Sequence, residues 1–317
     1  MSFNRKIISL VNEEFENKRI KNESQKDSRL AEIYSKIPKI KAIDKELSQT
    51  GVNIMALALG NKDELDAKMS ELRKRNLELQ KNRALLLIEN GYSEDYTDLH
   101  YDCPICQDWG IVGGKLCSCY KNRLIEEQFK LSGISNLVKK QSFETFSLDM
   151  YEDKEKMANL LEYATDYVRD FAEMKRNLLF VGGTGLGKTH LSTAIAKSLI
   201  EKGYNVIYET AQNIFFDFDN DRFRDRFSDS EPESTKYLDC DLLIIDDLGS
   251  EAINSFTVSC LYNILNTRLN KGLPVIASTN LSSKEIRDKY HDRITSRLFG
   301  EFNIQMFQGN DLRKIKK

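Results

Sequence analysis

The stretch Asn177 to Leu191, NLLFVGGTGLGKTHL, holds residues whose order can bind a polyphosphate. Gly182 is followed by four residues and then by Gly187, Lys188 and Thr189, which satisfies G-x-x-x-x-G-K-[ST] at each position. An apolar, strand-forming run precedes the glycines, and a helix-compatible segment, Thr189 to Glu201, follows them. Gly182, Gly183, Thr184, Gly185, Leu186 and Gly187 would let backbone N–H groups close around the phosphates. The helix start at Lys188, Thr189 and His190 would add its positive end. Lys188 would reach the β- and γ-phosphates of a nucleoside triphosphate, and the Thr189 hydroxyl would ligate Mg²⁺. The bland alternative is a glycine-rich turn that happens to precede a helix.

A second signature is Asp241 to Gly249, DLLIIDDLG. Its apolar residues predict a buried strand, with Asp246 emerging at the C-terminal end beside the phosphate loop to hold Mg²⁺, directly or through water. Asp247 is then placed to polarise an attacking water as general base. A buried strand ending in an acidic turn is the alternative. Leu273 to Ser278 predicts another strand, followed by Thr279 and Asn280. That amide can orient water against a γ-phosphate, or simply cap the next segment. In DRITSRLFG, Arg293 and Arg297 are four apart and share a helix face, and Arg313 lies near the end of the chain.

Four of the six cysteines, Cys103, Cys106, Cys117 and Cys119, fall in YDCPICQDWGIVGGKLCSCY. A C-x₂-C and a C-x-C pair around a glycine-bearing turn suit Zn²⁺ held by four thiolates. Such a site has no open coordination position and is expected to be structural. Two disulfides, or thiols without metal, are the other readings. His100 reads as exposed spacer, although it is near enough to replace a ligand. Cys240 and Cys260 read as isolated buried thiols.

The elements that must position these groups fall into two halves. Residues 1 to 100 read as helical: Phe3, Ile7, Val11 and Phe15 recur at helical spacing, as do Leu30, Ile33, Tyr34 and Ile37 ahead of Pro38, which should end or kink the helix. A third run covers Ile40 to Leu59. A fourth starts near Asn61 or Asp63 and places Leu65, Met69, Leu72, Leu79 and Leu86 on one side, with Gly91 after its last turn. Asn76 and Arg83 interrupt that stripe, which favours a helical hairpin over a coiled coil. Lys121 to Leu131 is helix-compatible and Ser132-Gly133 breaks it. Gln141 to Tyr151 carries aromatics that either line an adenine pocket or pack on the core. A helix from about Asp153 to Met174 leads to the phosphate loop. Beyond it strands and helices alternate (a second strand is Asn205 to Tyr208), which predicts an α/β fold with a parallel sheet flanked by helices. The charged insertion at 217–236 reads as a solvated connector, with a pore loop or a contact to single-stranded nucleic acid as the alternative.

A net charge of −2 argues against bulk electrostatic binding to duplex DNA. A hydrophobic share of 40% supports packed cores, and 317 residues suit about two domains. The chain has neither a membrane-length apolar run nor a signal-peptide core at its N-terminus, so the expected location is cytoplasmic, with no membrane partner.

GGTGLGKTHL, LLIIDDLG, the ASTN strand end, RITSRLFG and GNDLRKIKK, in this order, resemble the AAA+ ATPases of the bacterial replicative-helicase loader family and the related ATP-binding helpers of insertion-sequence transposition. The cysteine segment after a helical N-terminus resembles the Gram-positive type of loader. This resemblance implies a P-loop AAA+ core. In its terms Asn280 is sensor 1, Arg297 the arginine finger with Arg293 as rival, and Arg313 sensor 2, acting without a helical lid. The implied domains are a helical partner-binding region at 1–100, a zinc-binding module at 101–120, a linker at 121–150 and an AAA+ ATPase domain at 151–317. The implied function is ATP-dependent loading of a hexameric replicative helicase onto single-stranded DNA, with self-association through the AAA+ domains. The rivals are a transposition or phage helper with another client, and a zinc-stabilised, ATP-switched binding module.

Overall fold

The computed structural model describes residues 3–58, 65–223 and 232–312; Asn61, Asp63 and Arg313 lie outside them. The chain divides into two compact units, one formed by Asn12–Tyr120 and the other by Met1–Val11 with Lys121–Lys317.

The chain opens with α1 (Arg5–Lys36), α2 (Pro38–Ala58) and α3 (Leu65–Glu89). The apolar stretches around Phe15 and Ile33 belong to one 32-residue helix, because the intervening residues are rich in Lys, Glu and Arg, which keep a helix going without a buried face. Pro38 ends α1 and opens α2, where its missing N–H costs nothing. α2 and α3 run antiparallel, as the pairing of Arg83 with Asp44 and of Asn76 with Thr50 requires. The two residues that break the apolar stripe of α3 thus make polar contacts to α2. Asn76 accepts from the Thr50 hydroxyl at 2.9 Å, and Arg83 bonds Asp44 at 2.6 Å and the Thr97 hydroxyl at 2.7 Å. Ile33, Ile37, Ile40 and Leu87 form a small core there.

A hairpin, β1 (Ile111–Val112) with β2 (Lys115–Leu116), follows, then α4 (Ser118–Leu131). The rest of the second unit comprises α5 (Lys154–Arg169), β3 (Asn177–Val181), α6 (Lys188–Glu201), β4 (Val206–Thr210), α7 (Ala211–Arg222), α8 (Thr235–Asp239), β5 (Leu242–Leu248), α9 (Ser255–Lys271), β6 (Val275–Thr279), α10 (Ser283–Gly300) and β7 (Phe302–Met306). α5 stops at Arg169, short of Met174, where Phe171 turns inward against Tyr204. The insertion at 217–236 is helical at both ends, in α7 and α8, with 224–231 outside the described residues.

The five strands β3 to β7 form a parallel sheet in the order β4-β5-β6-β3-β7. Alternate residues of β3, β4, β5 and β6 feed two cores. Leu178, Phe180, Ile244 and Ile276 join one cluster with Leu191 and Ile195 of α6, whereas Leu179, Val181, Leu243 and Ala277 join the other with Leu261 and Ile264 of α9. Burial on both faces is why these strands read as continuous apolar runs. β7, an edge strand with only Phe302 buried, lacks that signature. β3 lies between β6 and β7, neither of them its sequence neighbour. Chain connections therefore diverge at its C-terminal end, where ligands bind in open α/β sheets. Capping boxes start α9 (Asn254 with Thr257) and α10 (Ser282 with Glu285), each contributing about 1 kcal/mol.

Candidate nucleotide site and cysteine cluster

β3 ends at Val181 and α6 begins at Lys188, so the glycine loop spans the gap between a sheet end and a helix N-terminus. Gly182, Gly185 and Gly187 all have positive φ (158°, 73° and 91°). A Cβ on Gly182 would meet the Phe307 carbonyl oxygen at 2.4 Å, one on Gly185 would meet Asp311 Oδ1 at 1.8 Å, and one on Gly187 would meet the Tyr151 hydroxyl at 2.3 Å. The segment after β7 closes against this loop through hydrogen bonds from Phe307 N to Val181 O (2.8 Å) and from Leu312 N to Gly185 O (3.1 Å). Tyr151 donates to the Leu186 carbonyl at 3.0 Å, and burial pushes its phenol up to about 12.

Lys188 is buried, and its ammonium donates to the carbonyls of Gly182 (2.8 Å) and Gly183 (2.6 Å) and to Asn280 Oδ1 (2.7 Å). The Thr189 hydroxyl donates to Asp246 Oδ2 at 3.2 Å. The same carboxylate accepts from the Tyr208 hydroxyl at 2.7 Å and from Ser278 Oγ. Neither Tyr208 nor Ser278 stands out in sequence, since both sit inside apolar strands and only the β4-β5-β6 pairing brings them to Asp246. Desolvation, followed by the Asp246 charge, holds the Tyr208 phenol well above its ordinary range and keeps it a donor.

Asp246 and Asp247 are adjacent, yet both face the same cavity. A bulge explains this. Between Ile245 and Leu248 the register against Ala277 and Thr279 slips by one residue, and Asp247 takes φ 56°. Non-glycine residues adopt that conformation rarely, and it tends to cluster at functional sites. Asp247 N donates to Ser278 Oγ at 3.0 Å, and its carboxylate accepts from Asn280 Nδ2 at 2.8 Å. The cavity measures about 800 Å³ and runs from Gln141, Phe146 and Tyr151 across the loop to Asp246, Asp247 and Asn280. Phe146 and Tyr151 thus do both things open to them in sequence, packing in the core and lining the cavity. His190 bonds the Ser142 carbonyl (2.9 Å) and Thr145 Oγ1 (3.1 Å), tying that aromatic segment to α6.

Arg297 is held within its own chain. It bonds Asn266 Oδ1 (2.7 Å), the Tyr262 hydroxyl (3.1 Å) and the Arg293 carbonyl (3.0 Å), and its guanidinium lies 4.4 Å from the Tyr262 ring centroid. Arg293 is exposed, with no side-chain hydrogen bond or ion pair among the described residues. Arg313 falls outside the described residues.

In the other unit, the sulfurs of Cys103, Cys106, Cys117 and Cys119 lie within 4.8 Å of one another, with no disulfide between them. Cys103 is 3.8 Å from Cys117, and Cys106 is 3.4 Å from Cys119. Zinc–sulfur bonds of about 2.3 Å place tetrahedral ligands about 3.8 Å apart, so this donor set fits Zn²⁺. The Cys106 backbone N–H brings the Cys103 thiol down to about 7, whereas burial and the neighbouring thiols push Cys119 up. Asp108, buried at φ 59°, accepts from Cys103 N (2.9 Å), Asp102 N (3.0 Å) and Asn22 Nδ2 (3.0 Å), and so shapes the first cysteine turn. His100 is exposed and outside the cluster, and Cys240 and Cys260 are separately buried.

The family model described as IstB-like ATP binding protein matches residues 119–314, well over half of the chain. The chain belongs to this family. Among curated relatives of this IstB-like protein, the phage-like element PBSX protein XkdC of Bacillus subtilis is 27% identical over 65% of this chain and 80% of its own length. The replicative helicase loader DnaC of Escherichia coli is 28% identical over 56% of this chain and 71% of its own length. A solved DnaC helicase loader superposes with a TM-score of 0.44 at 23% identity, covering 52% of this chain and 98% of that one. No helix among the described residues of this IstB-like protein is long and apolar enough to cross a membrane.

Proposed function

We propose that this IstB-like protein is an ATPase that loads a ring-shaped replicative helicase onto single-stranded DNA. The observation that carries the ATPase half is the meeting of Lys188, Asn280 and Asp247 in one hydrogen-bonded chain at the phosphate loop. In this reading Lys188 and the loop N–H groups bind the phosphates, Asn280 orients the attacking water, and Asp247 takes its proton. The Thr189 hydroxyl and Asp246 carboxylate are hard oxygen donors that would hold Mg²⁺, which supplies neutralisation of phosphate charge. Arg297, or its rival Arg293, serves a neighbouring subunit's γ-phosphate, so that hydrolysis depends on assembly. Arg313 completes the site as sensor 2. The four cysteines would hold a structural Zn²⁺, and residues 1–100 with that module would dock on the helicase.

The loader half is supported by the similarity to DnaC, whose name is replicative helicase loader. The similarity to XkdC of a phage-like element supports the other reading, a phage or transposition helper with a different client. Affinity capture of the native protein with the replicative hexameric helicase, with and without ATP, separates them. ATP-responsive co-purification is expected of a loader. Failure to bind the helicase in either state excludes loading, while leaving a measured ATPase to the helper reading.

A further inference from the structure

The turn after β5 holds a buried carboxylate that none of the roles above uses. Glu251 is 7% exposed. Its Oε2 accepts the Gly249 N–H at 2.7 Å, and its Oε1 accepts the hydroxyl of Tyr290, itself buried. Upstream in the same turn, the Asp247 carbonyl accepts from the Ser250 N–H (3.2 Å) and hydroxyl (2.8 Å). Leu248 O takes the Thr279 hydroxyl at 2.6 Å, one residue before Asn280. Asp247, Gly249 and Glu251 are thus hydrogen-bonded into one piece, attached to both strand ends that face the phosphate loop.

The other end of the link is equally specific. Tyr290 is the last residue before His291, where α10 is broken by non-helical angles of φ 58° and ψ 168°. The helical stretch beyond that break, up to Gly300, carries Arg293 and Arg297. Lys289 adds a second tie, donating to the Gly249 carbonyl at 3.2 Å. Since a buried carboxylate without its donors is costly, Glu251 and Tyr290 must move together when the turn moves. The break at His291 lets the stretch beyond it respond as a unit.

We infer that Glu251 and Tyr290 are positioning residues that carry nucleotide occupancy at the phosphate loop to residues 292–300, and so set the two arginines. This rests on the ATP-binding part of the function proposed above.

The test is amide hydrogen exchange on the full chain, with and without Mg²⁺ and a non-hydrolysable ATP analogue. In wild type the analogue is expected to slow exchange at 182–190 and 246–250, and also to change it at 292–300. Tyr290→Phe keeps the ring and loses the hydroxyl. It should bind the analogue with about wild-type affinity and respond at 182–190 and 246–250, but lose the response at 292–300. Glu251→Gln can keep its amide oxygen on the Gly249 N–H and donate its Nε2 to the Tyr290 hydroxyl, which also accepts, so it should retain the response there. A pair that merely stabilises the fold would raise exchange equally in both states and leave the nucleotide-induced difference intact; that result in Tyr290→Phe overturns the inference. So does a wild-type protein protected at 182–190 but unchanged at 292–300. Absence of protection at 182–190 in wild type overturns the ATP-binding reading and takes this inference with it. If Tyr290→Phe does not fold, the double variant Glu251→Leu/Tyr290→Phe removes the stranded carboxylate and permits the same comparison.

Discussion

Asn280 donates its amide to the Asp247 carboxylate at 2.8 Å while its carbonyl takes the Lys188 ammonium at 2.7 Å. The orientation of that amide is dictated by its neighbours, because an ammonium can only donate and a carboxylate only accepts. One side chain therefore spans the lysine proposed to bind phosphate and the general-base candidate. Lys188→Ala removes a charge-assisted ligand worth about 3 kcal/mol, so nucleotide affinity should fall roughly 100-fold. Titration with a fluorescent ATP analogue measures this, with circular dichroism confirming an unchanged fold. Wild-type affinity in the variant would exclude the phosphate-loop role.

The bulge that turns both aspartates into the cavity predicts different defects for each. Asp247→Asn should bind ATP normally and hydrolyse it roughly 10² to 10⁴ times more slowly, the range for losing a positioned general base. Asp246→Asn should in addition raise the Mg²⁺ concentration needed for half-maximal turnover. Steady-state rates across a magnesium series separate the two. Equal, wild-type behaviour of both variants would remove Asp246 and Asp247 from the mechanism.

For the cysteine cluster the expected outcome is one zinc per chain in reduced protein, falling to nearly none in Cys103→Ser/Cys106→Ser. Thiolate–metal bonds supply folding free energy, so residues 12–120 should become protease-sensitive. ATP binding should persist, since the sheet and phosphate loop lie in the other unit. Elemental analysis and limited proteolysis read these outcomes. A wild-type protein without zinc would show that the four thiols are not a metal site.

Much of this architecture was legible because buried parallel strands are apolar on both faces and the phosphate loop must be written in consecutive residues. What escaped were contacts that exist only after strands pair. Tyr208 and Ser278 look like ordinary strand residues until β4 and β6 flank β5 and bring both hydroxyls to Asp246. β7 was missed because an edge strand with exposed Asn303, Ile304 and Met306 carries no core pattern. In α3, by contrast, Asn76 and Arg83 were visible as breaks in an apolar stripe, but nothing local named Thr50 and Asp44 as their partners.

Arg268 illustrates the same limit and gives a stability prediction. It is fully buried in α9 and donates to the carbonyls of Tyr237 (2.9 Å), Cys240 (3.0 Å) and Pro274 (2.8 Å). The guanidinium thus ties the entry to β5 to the entry to β6. Arg268→Met fills similar volume but strands three acceptors, and should destabilise the fold by about 3 kcal/mol or more. Urea unfolding monitored by far-UV circular dichroism measures the loss. A change below about 1 kcal/mol would mean that water satisfies those carbonyls as well as the arginine does.

Arg297 and Arg293 are distinguished by complementation. If Arg297 acts on a neighbouring subunit, Arg297→Ala should bind ATP normally yet lose the rise in specific activity with protein concentration. Mixing it with Lys188→Ala, which offers an intact arginine to the other's intact pocket, should restore part of that activity. The same pair of measurements on Arg293→Ala assigns the role to Arg293 if only its variant behaves this way. Tyr262→Phe and Asn266→Ala should each weaken the effect of Arg297 if these contacts orient its guanidinium.

The close approaches at Gly182, Gly185 and Gly187 have a consequence for engineering and for sequence drift. Their missing side chains make room for Phe307, Asp311 and Tyr151. Residues 182–189 are consequently not a transplantable cassette: grafted onto another sheet, the loop would keep its glycines but lose the walls that limit its freedom. By the same geometry, a bulkier residue at 185 demands a simultaneous change at 311, so these two positions should vary together among related chains, more than a hundred residues apart.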